Sequence, residues 1–427
     1  MKLEIRDQKL ESEPVGFHLL ISTFCFLLSA ILVAFPQVGA IQAPEEQALT
    51  PTNFRAPDFP DHGEGLASSA AISPRTPTQN PAGAPGAGST LPEGNLPSST
   101  WINSPPLTMR QLAGKVVLID FWEYTCINCI RTFEQNKKWF ERYHKYGFEI
   151  IGVHDPEFDI AYNAANVQTA VKRFALPYPV VVDPNFQLWQ SYHNDSWPSR
   201  FLVDSKGVVR FHKDGEGGDA AFEHAIQRFL LEAHQGLKFP SSYTIAPEPN
   251  AFVPSCGTPT QEMYVGDWSG RGILSNREGY HRGKTIRYEL PANPSDGQAA
   301  VSGWWETDKN GMIYRGKRSG AHAAPDELLM RYHARELYGV INVSHGHPSS
   351  VYIQQDGKDL TAANKGVDVK FDSQGHSYIE VREPRMYYLV QNPAFGAHTV
   401  TLTPTKPGLT VNSFTFGNDC QTDFPRL

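Results

Sequence analysis

Two kinds of hydrophobic pattern divide the chain into regions of different predicted structure. Between residues 101 and 240, short apolar and β-branched runs alternate with segments whose apolar positions recur every three or four residues. Such alternation of strands and helices is typical of an α/β domain. Beyond about residue 255 the helical spacing fades, and short strand-like runs follow one another with Gly, Asn and Asp between them. The second region is therefore predicted to be an all-β sandwich, with a jelly-roll-like arrangement.

The two regions have different element orders. The first region is predicted to contain, in order, a strand, a helix, a strand, a helix, a strand, a helix, a hairpin and a helix. The second region is predicted to contain only strands. In the first region the predicted strands are 116–121, 148–153, 178–182, 200–204 and 208–212, and the predicted helices are 131–146, 163–174, 186–192 and 220–233. In the second region the predicted strands are 299–305, 340–343, 351–355, 367–371, 378–381, 386–390, 398–402 and 413–416.

The N-terminal residues 1–40 are predicted to be a membrane anchor or a signal peptide. From Phe17 to Phe35 the chain has no Lys, Arg, Asp or Glu, which is near the length that spans a bilayer as a helix. Small residues at 38–40 offer a signal cleavage site. The charged segment before the apolar run has no net positive charge, however, which is poor for a signal peptide. We favour the anchor, and both alternatives place the rest of the chain outside the cytoplasm.

Amino-acid composition and net charge indicate a linker and one class of partner that is not expected. Residues 41–100 are rich in Pro, Gly, Ala, Ser and Thr and are predicted to be a disordered linker. We expect domains at 101–240 and 255–424. The formal net charge of −7 gives no electrostatic reason to expect nucleic-acid binding.

The clearest chemical signal is Cys126-Ile127-Asn128-Cys129, which lies between the strand 116–121 and a helical segment. A thiolate is the form of cysteine that attacks a disulfide. The free N–H groups and partial positive charge of a helix N-terminus favour that anion. Two intervening residues let the second sulfur resolve a mixed disulfide. The spacing therefore predicts a redox-active disulfide in which Cys126 attacks and Cys129 resolves.

Other uses of this motif fit the sequence less well. Structural zinc requires a second ligand pair, and neither Cys256 nor Cys420 belongs to one. Haem attachment requires His directly after the motif, where Ile130 stands. A peroxiredoxin would have Pro and Thr or Ser at the positions of Ile119 and Glu123. A purely structural disulfide within the motif remains an alternative.

Several motifs together resemble one family. The run 118–129, with Gly152–Phe158 and Gly215–Asp219, is similar to thioredoxin-fold proteins of the TlpA-like family and most similar to their DipZ branch. The resemblance covers roughly residues 101–234. It implies a thioredoxin-like α/β fold and thiol–disulfide exchange with protein substrates, and we expect no cofactor and no bound metal. More weakly, it implies a carbohydrate-binding-module-like domain after the redox domain.

The resemblance assigns roles to residues around the motif. Asp120 matches the buried carboxylate that carries a proton to or from the deeper thiol, although a salt-bridged aspartate is the plainer interpretation. Pro198 matches the cis-proline that faces the CxxC, so that Trp197 would present its backbone to an extended partner. Trp122 is also assigned to the substrate-binding surface. Glu123 is expected to face solvent.

Two expectations concern the second domain. Trp268, Trp304, Trp305 and Tyr332 are candidates for stacking on a glycan, although aromatic residues in sandwiches more often form the core. Cys256 and Cys420 lie at the two ends of the domain, and ends of a domain often lie close together. We therefore expect a structural disulfide between them in an oxidising compartment.

The sequence thus favours an extracytoplasmic thiol–disulfide oxidoreductase. The family resemblance suggests a reductase, and the DipZ branch fuses its multi-span electron carrier to the same chain. Because only one apolar span is visible here, a separate membrane electron donor is expected. The alternative is a cell-surface protein that binds a glycan or a protein and holds a static CxxC disulfide.

Overall fold

The computed structural model describes residues 50–59, 100–240, 257–267, 274–317, 325–343 and 347–417, and these residues form two separate β-sheets. The predicted anchor, most of the predicted linker, Trp268, Cys256 and Cys420 lie outside the described residues. The predicted disulfide between the two cysteines therefore stays a prediction. In the described part, no helix is both long and apolar enough to cross a bilayer.

The first sheet has seven strands in the order β1-β7-β6-β3-β4-β5-β2. Its central strands β3, β4 and β5 are parallel to each other, whereas β6, β7, β1 and β2 pair antiparallel. The strands are β1 Thr50–Arg55, β2 Thr100–Ile102, β3 Val116–Trp122, β4 Phe148–His154, β5 Val180–Val182, β6 Ser199–Val203 and β7 Val208–Asp214.

Helices cover both faces of this sheet. The residues of β3 alternate between two cores: Leu118 packs with α1 and α4, and Ile119 packs with α3. Both faces of the central strands are therefore apolar, as in other sheets covered on two sides. The helices are α1 Ile127–Tyr143, α2 Ala164–Arg173, α3 Gln187–Ser191 and α4 Asp219–Ala233, with short 3-10 helices at His144–Tyr146 and Asp159–Tyr162. The predicted α/β class is confirmed, and α1 begins four residues earlier than predicted.

Strand β1 lies within the segment that was predicted to be a disordered linker, so that prediction is wrong for these residues. It pairs antiparallel with β7, and the Thr52 hydroxyl donates a 3.0 Å hydrogen bond to the Val209 carbonyl. The following Ala56 and Phe59 are buried against the sheet. The Pro- and Gly-rich composition averaged over 41–100 concealed this short segment, which gains its hydrogen bonds from a distant strand edge.

The second sheet is entirely antiparallel and confirms the all-β prediction. Two long strands, β12 and β17, form its centre and change register at bulges. The predicted strands 386–390 and 398–402 are parts of β17. The strands are β8 Met263–Tyr264, β9 Thr285–Tyr288, β10 Ala299–Thr307, β11 Met312–Tyr314, β12 Glu327–Val343, β13 Ser349–Gln355, β14 Lys358–Asp359, β15 Lys370–Phe371, β16 Ser377–Val381, β17 Arg385–Pro404 and β18 Leu409–Gly417.

Candidate redox site

The CxxC motif forms the first turn of α1, directly after β3. Cys126 is the N-cap residue, and its Sγ accepts a 3.2 Å hydrogen bond from the backbone N–H of Cys129. Cys126 is half-buried, whereas Cys129 is fully buried behind it. Both sulfurs are free thiols in this structure. An accessible sulfur at the N-terminus of a helix, backed by a second sulfur, is the arrangement that thiol–disulfide exchange requires.

The protein environment raises the pKa of both thiols, and it acts more strongly on Cys129. Burial raises the pKa of Cys126, and the hydrogen bonds from Cys129 work against that rise. The Glu157 and Glu262 carboxylates also raise the pKa of Cys126. Burial raises the pKa of Cys129 more strongly, well above its ordinary value, and Cys126 and Asp120 add to the rise. Cys129 is therefore the harder thiol to ionise, and its attack requires a group that removes its proton.

Asp120 lies on β3 below the motif and is completely buried. Burial raises its pKa from 3.8 to about 7, although Arg200 and a hydrogen bond from Asn136 oppose the rise. Asn136 Nδ2 donates this 2.9 Å hydrogen bond to Asp120 Oδ2. The other oxygen, Oδ1, has no hydrogen-bond partner among the described residues. A carboxyl group that titrates near pH 7 beside a buried thiol can exchange a proton with it.

Asn136 and Arg200 also surround Asp120, and neither was among the predicted site residues. Asn136 lies on α1 seven residues after Cys129, and therefore on the same side of the helix two turns later. A buried Asn on an apolar helix face was the signal that could have identified it. Arg200 lies opposite Asp120 in the register of β6 and β3, is fully buried, and pairs with Asp219 at 2.9 Å. Its charge in an otherwise apolar strand was the corresponding signal.

The peptide bond between Trp197 and Pro198 is cis, as predicted. Pro198 is buried, and its carbonyl accepts a 2.8 Å hydrogen bond from the backbone N–H of Gly215. Trp197 is partly buried, packs on Trp189 with ring centroids 4.5 Å apart, and contacts both cores of the redox domain. Cys126 packs against one of these cores as well, so the loop before β6 and the CxxC share one apolar region.

The structure corrects two expectations about the loop that precedes Cys126. Trp122, assigned to the substrate-binding surface, is fully buried and packs edge-on against Phe133 and His154. A partner protein cannot contact it without displacing core residues. Glu123, expected to face solvent, is also fully buried. Its Oε2 accepts hydrogen bonds from the backbone N–H and hydroxyl of Thr125, and its Oε1 lies 3.7 Å from His154 Nε2.

The second sheet packs against the redox site. Arg131, two residues after Cys129, contacts Glu336 Oε2 and the Tyr338 hydroxyl of β12, each at 3.3 Å. On the other side of the motif, the Tyr264 hydroxyl of β8 donates a hydrogen bond to Glu157. Tyr264 and Tyr338 belong to the same apolar cluster as Ile130 and Cys129. These contacts join residues far apart in the sequence, and no local pattern indicated them.

Two family comparisons match this architecture. Residues 88–212 match the AhpC/TSA family, and residues 260–417 match the thioredoxin-like C-terminal domain family. The first of these matched segments contains the CxxC motif, and the second contains most of the antiparallel sheet. The predicted resemblance to the DipZ branch of TlpA-like proteins is confirmed.

Individual proteins resemble the chain over different lengths. Protein DipZ of Mycobacterium tuberculosis is 30% identical over 323 residues, which is 74% of this chain and 41% of DipZ. The chain thus spans about two fifths of the length of DipZ. The thiol-disulfide oxidoreductase ResA of Halalkalibacterium halodurans is 30% identical over 110 residues, or 26% of this chain and 60% of ResA. A solved thiol-disulfide isomerase from Corynebacterium glutamicum is 23% identical and covers 33% of this chain and 96% of its own, with a TM-score of 0.29.

Two of the four aromatic residues that were candidates for stacking on a glycan are buried in this structure. Trp305 and Tyr332 are fully buried in the core of the second sheet. The Trp305 indole donates a 2.7 Å hydrogen bond to the Ser302 carbonyl, and the Tyr332 hydroxyl donates one of the same length to Gln355. Only Trp304 is partly exposed among the described candidates. The two buried side chains are core residues, as is usual for aromatic residues in sandwiches.

Proposed function

We propose that the chain is an extracytoplasmic thiol–disulfide oxidoreductase that reduces disulfides in protein substrates. The observation that carries this proposal is the half-exposed Cys126 at the N-cap of α1 with the buried Cys129 behind it. Relatives named as thiol-disulfide oxidoreductases support the reaction class. We assign the redox domain to residues 101–240 and the β-domain to residues 255–424.

In the first step, the Cys126 thiolate attacks one sulfur of the substrate disulfide. The substrate S–S bond breaks, a bond forms between Cys126 and the substrate, and the displaced substrate sulfur takes up a proton. In the second step, the Cys129 thiolate attacks Cys126 Sγ. The intramolecular disulfide forms, and the second substrate sulfur leaves and is protonated. Two electrons and two protons have then passed from the protein dithiol to the substrate.

Asp120 is proposed to accept the Cys129 proton in the second step. Its pKa of about 7 leaves it partly ionised at neutral pH, so it can act as a base. Its buried position, with Oδ1 unpaired among the described residues, supports this role. The proton returns to solvent, or to Cys129 when the disulfide is reduced again.

The loop at Trp197 and Pro198 is proposed to dock the substrate. An extended segment that carries the target cysteine would pair with the backbone of Trp197, in the manner of strand addition. The apolar region shared by Trp197 and Cys126 supports this placement. Trp122 has no direct part in docking because it is buried.

A separate membrane protein is proposed to return electrons to the 126–129 disulfide. The chain would remain tethered to the membrane by its N-terminal apolar segment. This proposal rests on the apolar run Phe17–Phe35 and on the resemblance to DipZ. We propose no glycan site, because Trp305 and Tyr332 are core residues.

The reaction can be tested with the reduced full chain and an oxidised model peptide that contains one disulfide. The proposal predicts that one peptide disulfide is reduced per protein molecule, while the protein gains the 126–129 disulfide. Mass spectrometry of both products would establish this stoichiometry. Cys126→Ser should abolish the reaction. If the accessible thiols of the wild-type protein do not reduce the peptide, the result would instead support the alternative of a binding protein with a static CxxC disulfide.

A further inference from the structure

One side chain of the CxxC helix connects the redox site to the C-terminal sheet. The Arg131 guanidinium lies 3.2 Å from Glu216 Oε1 of the redox domain and 3.3 Å from Glu336 Oε2 of β12. The Tyr338 hydroxyl lies 3.3 Å away. Arg131 is thus held from two domains, only two residues after Cys129.

The C-terminal side of this contact is firmly held. Glu336 and Tyr338 both lie in β12 and are buried. The Tyr338 hydroxyl also donates a 2.5 Å hydrogen bond to Glu336 Oε2. This part of β12 pairs with β17 on one edge and β18 on the other. The carboxylate and the phenol are therefore fixed relative to α1 by a paired strand.

The Arg131 guanidinium also donates a 3.4 Å hydrogen bond to Asn128 Oδ1, inside the CxxC motif. Burial lowers the pKa of Arg131, but Tyr338 and the two glutamates more than offset this effect and raise its pKa above the ordinary value. The guanidinium is therefore a permanent cation beside the first turn of α1. Water screens partly buried charges less than exposed ones. A change in the net charge of this cluster therefore changes the electrostatic stabilisation of nearby thiolates.

Other charged and titratable groups face the same region. Glu157 and Glu262 raise the pKa of Cys126, and the Tyr264 hydroxyl lies within hydrogen-bond distance of both carboxylates. Asp120 acts on Cys129 from β3. Arg131 itself bonds to Asn128, Glu216, Glu336 and Tyr338, and the substitutions that test its role are made in this second set of side chains.

We propose that Arg131 is a positioning residue through which Glu336 of the C-terminal domain tunes the reactivity of Cys126. The inference rests on the proposed thiol–disulfide exchange. In this arrangement Arg131 stabilises the Cys126 thiolate, and Glu336 weakens that effect by neutralising part of the guanidinium charge. The C-terminal domain is thereby a functional part of the redox site.

The test compares Arg131→Gln with Glu336→Gln in the reduced full chain. The rate of Cys126 alkylation by iodoacetamide is measured against pH, with mass spectrometry to assign the modified sulfur. Arg131→Gln removes the cation and should lower the rate at pH 7 by about twofold or more. Glu336→Gln leaves the cation less neutralised and should raise the rate by a similar factor. The midpoints of the two pH profiles should move in opposite directions.

A matched control comes from another ion pair between the domains. Arg173 of α2 pairs with Glu383 at 2.8 Å. Glu383→Gln should leave the alkylation profile unchanged. Shifts of both Arg131 and Glu336 variants in the same direction, or no shift in either, would overturn the proposal. Tyr338→Phe, which keeps both charges, provides a further variant if Glu336→Gln fails to fold, and it should change the profile less than Arg131→Gln.

The proposed function has its own readout in this experiment. The wild-type protein must reduce the oxidised model peptide. If its Cys126 is alkylated normally but the peptide is not reduced, the proposed function fails. If the peptide is reduced but the opposite shifts are absent, only the role of Arg131 fails.

Discussion

Asn136 donates a 2.9 Å hydrogen bond to Asp120 inside the redox domain, where both side chains are fully buried. The bond stabilises the ionised carboxylate, while burial stabilises the protonated form more strongly. The result is a pKa of about 7 for Asp120, at the pH where a proton acceptor for Cys129 is most useful. The helix that carries the sulfurs therefore also carries the group that adjusts the acid below them.

Asp120→Asn should slow the resolution of mixed disulfides on the order of a hundredfold, because the amide keeps the volume but cannot accept a proton. The variant should still form the mixed disulfide at Cys126. Single-turnover kinetics with a model disulfide would separate the two steps. Equal resolution rates in the variant and the wild type from roughly pH 6 to 9 would remove Asp120 from the mechanism.

Asn136→Ala should shift the pH dependence of resolution rather than abolish it. Without the donated hydrogen bond, the ionised Asp120 is less stable, so the pKa of Asp120 rises above about 7. The pH at which resolution reaches half of its maximum should rise accordingly. The double variant with Asp120→Asn is the control, because it has no carboxyl group to shift. A midpoint that stays in place or falls would contradict the predicted coupling.

The pKa of Asp120 also predicts how stability depends on pH. Between about pH 4 and pH 7 the unfolded chain has released the Asp120 proton while the folded chain retains it. The free energy of unfolding of the wild type should therefore fall across this range, by at most about 4 kcal/mol from this group. Asp120→Asn should lack that part of the decline. Urea unfolding at pH 5 and pH 8 would measure it, and identical declines in both proteins would contradict the raised pKa.

Some of this site could be predicted from the sequence, and some could not. The strand before the motif, the order of the two sulfurs and the cis-proline follow from local patterns and from the family resemblance. Local patterns also gave the bounds of most helices and strands to within a few residues. Trp122 and Glu123 were wrongly placed because their burial depends on how the loop closes over His154 and Thr125. Arg131 and Glu336 are 205 positions apart in the sequence. The periodicity of apolar residues describes local structure and cannot predict a contact between such distant residues.

Cys129→Ala should trap substrates covalently on Cys126. The half-exposed sulfur can still attack, but the buried sulfur that would release the substrate is gone. Non-reducing gels of the variant expressed in its native host should show adducts that disappear on reduction. Cys126→Ala is the matched control and should show none. Adducts on Cys126→Ala and not on Cys129→Ala would reverse the two roles.

The reduction potential of the 126–129 couple tests the central claim most directly. The full chain would be equilibrated with a series of glutathione redox buffers, alkylated, and analysed by mass spectrometry. A reductase should show a single two-electron transition with a potential near or below about −250 mV. Sulfurs that keep one redox state across the whole series would contradict a redox-active site, and a potential near about −120 mV would contradict the reducing direction.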